Sequence, residues 1–130
     1  MTRLLIVGLG GALGSMARYG AGLAAARLLP GAAWPWATLS VNVIGGLAMG
    51  LLAGWLAQRG EGDESLRLFA AVGVLGGFTT FSAFSLETAL MIERRQFGLA
   101  GAYVGLSVVL AVAALFLGLM IARRAFGAAL

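Results

Sequence analysis

The sequence predicts an all-α membrane protein of four transmembrane helices, and three observations carry that fold class. Of 130 residues, 61% are hydrophobic, whereas ordinary soluble domains hold roughly 45–50%. The mean hydropathy is +0.98. Four apolar runs, spanning about residues 4–29, 37–57, 66–92 and 97–122, are each long enough to cross a hydrocarbon core of about 30 Å at about 1.5 Å per residue. Short polar or aromatic connections separate them, so residues 1–130 read as a single transmembrane domain.

Composition also excludes much. The chain has no cysteine and no histidine, which rules out thiol or imidazole metal sites, Cys/His nucleophile pairs and disulfides. No recognisable nucleophile and base remain, and an enzyme is not expected. All nine basic residues are arginine and the net charge is +4. They are scattered at helix ends rather than gathered on one face, so they read as membrane anchors and topology signals, not as a nucleic-acid surface.

The first run begins after Arg3 but is too long, and interrupted by Arg18, to be a removable signal peptide. Gly10, Gly14 and Arg18 are spaced by four and share a helix face. Two small residues there admit a neighbouring helix, and an arginine on that side is costly unless paired or wet, which marks Arg18 as functional or as a side chain snorkelling toward the interface with Arg27. Trp34 and Trp36 lie in a tight connection at the level of an aromatic belt. The second run opens with Thr38, Ser40 and Asn42 and continues with Gly46, Gly50 and Gly54 at small-xxx-small spacing. Asn42 can offer two N–H donors to an anion, or a donor and an acceptor to another helix.

Residues 58–65 hold three of the five acidic residues and read as a solvated loop. The third run carries the most unusual stretch, Gly73-Val-Leu-Gly76-Gly77-Phe-Thr79-Thr80-Phe81-Ser82-Ala-Phe84. Three glycines and two adjacent β-branched residues are poor helix material, so a break is expected near 76–80. Freed backbone groups at membrane depth need protein, water or an ion. A glycine-rich packing surface is the plainer alternative. Phe81 and Phe84 share one face beyond the break, and Ser82 and Ser85 a neighbouring one. Glu87 follows as a proton relay, an acceptor in a polar line, or a carboxylate near the wet interface. The fourth run is free of charge, with Tyr103 and Ser107 on one face and Arg123 and Arg124 stopping it.

Four helices enclose a conduit with difficulty, so self-association is expected. The arginines outside the membrane divide five to three between the two sides, a weak orientation signal compatible with antiparallel pairing. Were two chains to pair about the break, carbonyls near Gly76 and Thr79 from both would converge, and such oxygens suit a hard cation. Phe81 and Phe84 would offer positive ring edges to a small anion. Asn42 and Ser107 would add neutral donors and Arg18 a positive charge at the access level.

Three segments carry a resemblance to a known family: Gly10-Gly-Ala-Leu-Gly-Ser-Met-Ala-Arg18-Tyr, Thr38-Leu-Ser-Val-Asn42-Val-Ile-Gly45 and Gly76-Gly-Phe-Thr-Thr-Phe-Ser-Ala-Phe-Ser85. Together the chain resembles the Fluc (CrcB) family of fluoride channels over nearly its whole length. The resemblance implies a multi-pass protein of the cell (inner or plasma) membrane, a small dual-topology antiparallel homodimer with two fluoride pores and a central structural Na⁺ that is not transported. It implies that backbone carbonyls of Gly76 and Thr79 hold Na⁺. Phe81, Phe84 and Asn42 then correspond to pore residues, with Ser107, Tyr103 and Arg18 along the path. Thr80, Ser82, Ser85 and Glu87 form a polar line. Ala83 departs from the family pattern, where a threonine or serine is commoner. A proton-coupled exporter, which would require Glu87 as its titratable carboxylate, and a non-transporting packing protein are the competing classes.

Overall fold

A computed structural model describes residues 1–59 and 64–127. Of the solvated loop expected at 58–65, residues 60–63 lie outside the described residues, while 58–59 belong to the helix ending at Arg59 and 64–65 to the helix starting at Glu64. Among the described residues all regular structure is helical. Helix α1 runs Thr2–Leu28, α2 Trp36–Arg59 and α5 Phe97–Phe126. The third span, Glu64–Glu93, consists of two pieces. Its first piece, α3, joins Glu64–Arg67, a wide-turned π-helical stretch Leu68–Leu75, and Gly76–Phe78. Its second piece, α4, is Phe81–Glu93. Four helices are therefore long and apolar enough to cross a membrane.

Local chemistry sets the ends. Arg27 in the last turn of α1 and Arg123 and Arg124 in that of α5 place cations where the helix dipole is negative. Between α1 and α2 the chain reverses at Gly31, whose φ of 71° favours glycine. Pro35 precedes α2, and its carbonyl accepts the first helical bond from Leu39 N–H at 3.2 Å. Between α4 and α5 the turn is a Schellman closure. Gln96 N–H reaches Met91 O at 2.8 Å and Arg95 N–H reaches Ile92 O at 3.0 Å, with Arg95 at φ 59°.

The closest helix pairs are not neighbours in sequence: α1 packs on α3, and α2 on α5. Lipid removes the hydrophobic drive for helix association, so close van der Waals approach must supply it. Gly14 makes the α1–α3 approach possible, since a Cβ there would run into the Val74 carbonyl oxygen and stand 2.8 Å from the Phe78 nitrogen. The Gly46, Gly50 and Gly54 face of α2 lies against α5, where a Cβ on Gly46 would be 2.7 Å from the Ala111 carbonyl oxygen. Leu39, Met91, Ala100 and Tyr103 form the buried cluster, with Trp34, Val43, Phe84 and Leu99 packed around it. Most large apolar side chains instead face outward, as lipid permits. At the N-terminal end of α1, Arg3 pairs with Glu64 at 3.3 Å, tying α1 to the start of α3.

Two stability changes follow from these contacts. Gly14→Ala is expected to lower the unfolding free energy by about 1–3 kcal/mol, because the methyl meets backbone rather than a movable side chain. Arg95→Gly is expected to raise it by about 0.5–1 kcal/mol by relieving the left-handed residue. Reversible denaturation in mixed detergent micelles measures both.

Candidate functional site

The site is built where α3 gives way to α4. Thr79 (φ −85°, ψ 158°) and Thr80 (φ −149°, ψ 122°) are extended, whereas Gly76–Phe78 and Phe81–Glu93 are helical on either side. Each threonine finds partners that helix geometry would not supply. Thr79 sends its N–H (3.1 Å) and its hydroxyl (3.0 Å) to Leu75 O, closing α3. The hydroxyl of Thr80 caps α4 by accepting from Ala83 N–H at 3.1 Å.

Two residues from neighbouring helices complete the junction. Asn42 of α2 accepts the Thr80 N–H at 2.8 Å through its side-chain oxygen and donates to the Thr80 carbonyl at 3.0 Å. Of the two alternatives the sequence left open for this amide, the donor-and-acceptor pairing with a neighbouring segment is in place, with one N–H of Nδ2 remaining. Arg18 of α1, partly buried, donates from Nε to the Gly77 carbonyl at 3.1 Å. The guanidinium is thus paired with backbone rather than with a carboxylate.

In a continuous helix the Gly76 carbonyl would accept from Thr80 N–H and the Thr79 carbonyl from Ala83 N–H. Here both donors are diverted, the first to Asn42 and the second to the Thr80 hydroxyl. Gly76 and Thr79 thus lose their helical donors to side-chain competition, the Phe78 carbonyl loses the Ser82 N–H at the same break, and Gly77 has Arg18. Hard, neutral oxygens of this kind fit Na⁺ and similar cations. Among the described residues no cluster of acidic side chains could hold a metal ion.

A groove of about 380 Å³ opens at this junction. Asn42, Thr79, Thr80, Phe81, Phe84 and Ser107 contribute to its wall, together with apolar residues of α2 and α5. Phe81 and Phe84 stand 5.5 Å apart between ring centroids, and Phe81 is 78% exposed. Ser107 is buried, and its hydroxyl has no hydrogen-bond partner. Arg18 lies outside this groove, in a second cavity of about 350 Å³ that also touches Thr38 and Thr80.

The other sequence-derived residues divide. Tyr103 and Glu87 are brought together but away from the groove: the Tyr103 hydroxyl donates to Glu87 Oε2 at 3.0 Å, and the Thr38 hydroxyl donates to Glu87 Oε1. Tyr103 is still linked to the groove through its ring, 5.1 Å from Phe84 and 5.6 Å, edge-on, from Trp34. Ser82 is exposed and touches only the Thr80 hydroxyl, at 3.3 Å. Ser85 is exposed and returns its hydroxyl to Phe81 O at 2.9 Å. Thr38 and Trp34 join this cluster although no sequence motif marks either as a site residue. The only sequence signal for Thr38 was its place in the polar opening turns of α2, and none paired it with Glu87.

Four apolar spans around a polar junction define a multi-pass membrane protein. Residues 5–119 match the family model described as CrcB-like protein, Camphor Resistance (CrcB), and the chain belongs to that family. Similar proteins include those of Caulobacter sp. (strain K31), 61% identical over 97% of this chain and 98% of its own, and Phenylobacterium zucineum (strain HLK1), 61% identical over 97% and 99%. A protein of Caulobacter vibrioides is 57% identical over 97% of this chain and 99% of its own. Each bears the name fluoride-specific ion channel FluC, the name of a channel and not of an enzyme.

The pairing of Glu87 yields a direct test. Tyr103→Phe is expected to lower the unfolding free energy in detergent by about 1–3 kcal/mol, since it leaves one carboxylate oxygen without its donor. Thr38→Ser, which keeps the hydroxyl on the other oxygen, is expected to be nearly neutral by the same measurement.

Proposed function

We propose that this chain is a fluoride-selective channel that lets cytoplasmic fluoride leave the cell passively. The observation that carries the reading is the groove at the Thr79–Thr80 junction, which gathers weak, neutral partners for a small anion and no carboxylate. The unpartnered Ser107 hydroxyl and the spare Asn42 N–H are donors there. Phe81 and Phe84 present ring edges, which carry the positive part of the aromatic quadrupole. Helix α4 begins at Phe81, so its first-turn N–H groups and positive dipole end lie at the same place. Neutral donors favour passage, because a full positive charge at the narrowest point would retain the ion. Arg18 instead stands to one side, where it attracts anions without binding them in the groove. The relatives' shared name points the same way.

Export needs no coupled energy source. HF crosses lipid as a neutral acid and dissociates in a less acidic cytoplasm, which loads the cell with fluoride. A negative-inside potential favours anion exit by about 2.3 kcal/mol per 100 mV, a concentration ratio of roughly fifty.

The working unit in this reading is an antiparallel, dual-topology homodimer with two pores. An open groove and a 78% exposed Phe81 call for a second wall, and the weak arginine bias allows insertion both ways round. The interruption of the third span then serves as a shared element at the two-fold axis. The carbonyls of Gly76 and Thr79 hold a structural Na⁺, which supplies positive charge to oxygens that lipid cannot satisfy and is not transported. The protein belongs in this reading to the cell (inner or plasma) membrane. Glu87 is a support rather than a proton carrier, since both of its oxygens are engaged by hydroxyls.

Fluoride-electrode recording of efflux from proteoliposomes, with chloride as the comparison ion, tests the reading. Fluoride efflux without chloride efflux is expected from the native chain, and Phe81→Ile is expected to abolish it while the dimer persists on size-exclusion chromatography. Equal efflux of both ions, or unchanged fluoride efflux in the variant, would sink it.

A further inference from the structure

Thr80 is the residue on which two kinds of bonding compete. At φ −149° and ψ 122° its N–H and C=O point to the same side, as in any strand residue. A primary amide presents one acceptor and one donor at matching separation. Asn42 uses both, at 2.8 and 3.0 Å, so a single side chain does what a neighbouring strand would do. Its oxygen holds the N–H that would otherwise close the helix onto Gly76.

We propose that Asn42 is a positioning residue for the cation site: by holding the peptide of Thr80 extended, it keeps the Gly76 carbonyl free for the ion. The Thr80 hydroxyl acts in parallel by drawing Ala83 N–H away from the Thr79 carbonyl. The inference rests on the reading that these carbonyls hold Na⁺, and it assigns Asn42 a task separate from lining the groove. It also explains why an amide is needed. A carboxylate at this position would accept the Thr80 N–H but would set an oxygen against the Thr80 carbonyl. A hydroxyl carries its donor and its acceptor on one atom, so it does not match the separation of the two groups as an amide does. Arg18 belongs to the same arrangement, since its bond to Gly77 occupies one of the two carbonyls that lie between Gly76 and Thr79.

The test uses the full-length protein in detergent and reads the melting temperature against Na⁺ concentration at constant ionic strength, with N-methylglucamine as the replacing cation. The native chain is expected to gain stability with Na⁺. Asn42→Ala and Thr80→Val are expected to need about tenfold more Na⁺ for half of that gain, as loss of one determining hydrogen bond implies. Thr80→Ser keeps the capping hydroxyl and is expected to restore the native midpoint. Hydrogen–deuterium exchange over residues 76–83 supplies a readout independent of transport, with altered protection of the Thr80 amide in Asn42→Ala. A native Na⁺ response that is unchanged in whichever of Asn42→Ala and Thr80→Val folds would overturn the inference while leaving the cation reading in place. Absence of any Na⁺ response in the native chain would remove that reading and the inference together.

Discussion

The two hydrogen bonds between the Asn42 side chain and the peptide of Thr80 are the constraint on which the rest of the structure turns. Inside a membrane a backbone leaves helical geometry only when each abandoned group finds a replacement. Asn42 takes one donor and one acceptor, the Thr80 hydroxyl takes the Ala83 donor, Thr79 closes α3 on Leu75, and Arg18 covers Gly77. For these groups the interruption substitutes one partner for another, drawn from three helices, while the Gly76 and Thr79 carbonyls are left without their helical donors. It fixes α1 and α2 against the third span at the depth where the groove opens.

That depth also explains how polarity is distributed. Groups near the interruption face a groove with neutral donors and ring edges, whereas the single carboxylate of α4 that is partly buried, Glu87, is held apart and wrapped by two hydroxyls. The rings of Phe84, Tyr103 and Trp34 connect the two regions by contact without carrying charge between them. A negative group and a groove of neutral donors can thus share one small bundle because aromatic packing stands between them.

Much of the fold was legible in the sequence, since length and hydropathy alone mark four spans and the glycine spacings mark the faces that approach closely. The backbone around Gly73–Thr80 was less so. The glycines and threonines together mark a break near 76–80, and the residues that leave helical geometry are Thr79 and Thr80, while Gly76 and Gly77 keep it and Gly73 sits in a π-helical stretch. Lipid offers a bare glycine peptide nothing in exchange for its helical bonds, so propensity measured in water is a weak guide there. Threonine departs because its hydroxyl and a passing asparagine provide the exchange. Polar and aromatic groups at the groove could be guessed from residue type, but their partners could not. Nothing local in sequence announces that Glu87 meets Thr38, 49 positions away, or that Arg18 seeks a carbonyl 59 positions on.

The interleaved pairing of helices, α1 with α3 and α2 with α5, has a consequence for biogenesis. Each tightly matched pair joins alternate spans, which cross the bilayer in the same direction, so no hairpin of consecutive helices can mature as it leaves the translocon. The second helix must wait in lipid with its glycine stripe uncovered until the last one arrives. The α1–α3 pair can form once the third span is inserted, whereas the α2–α5 pair is completed only with the last span, which joins α2 to its partner.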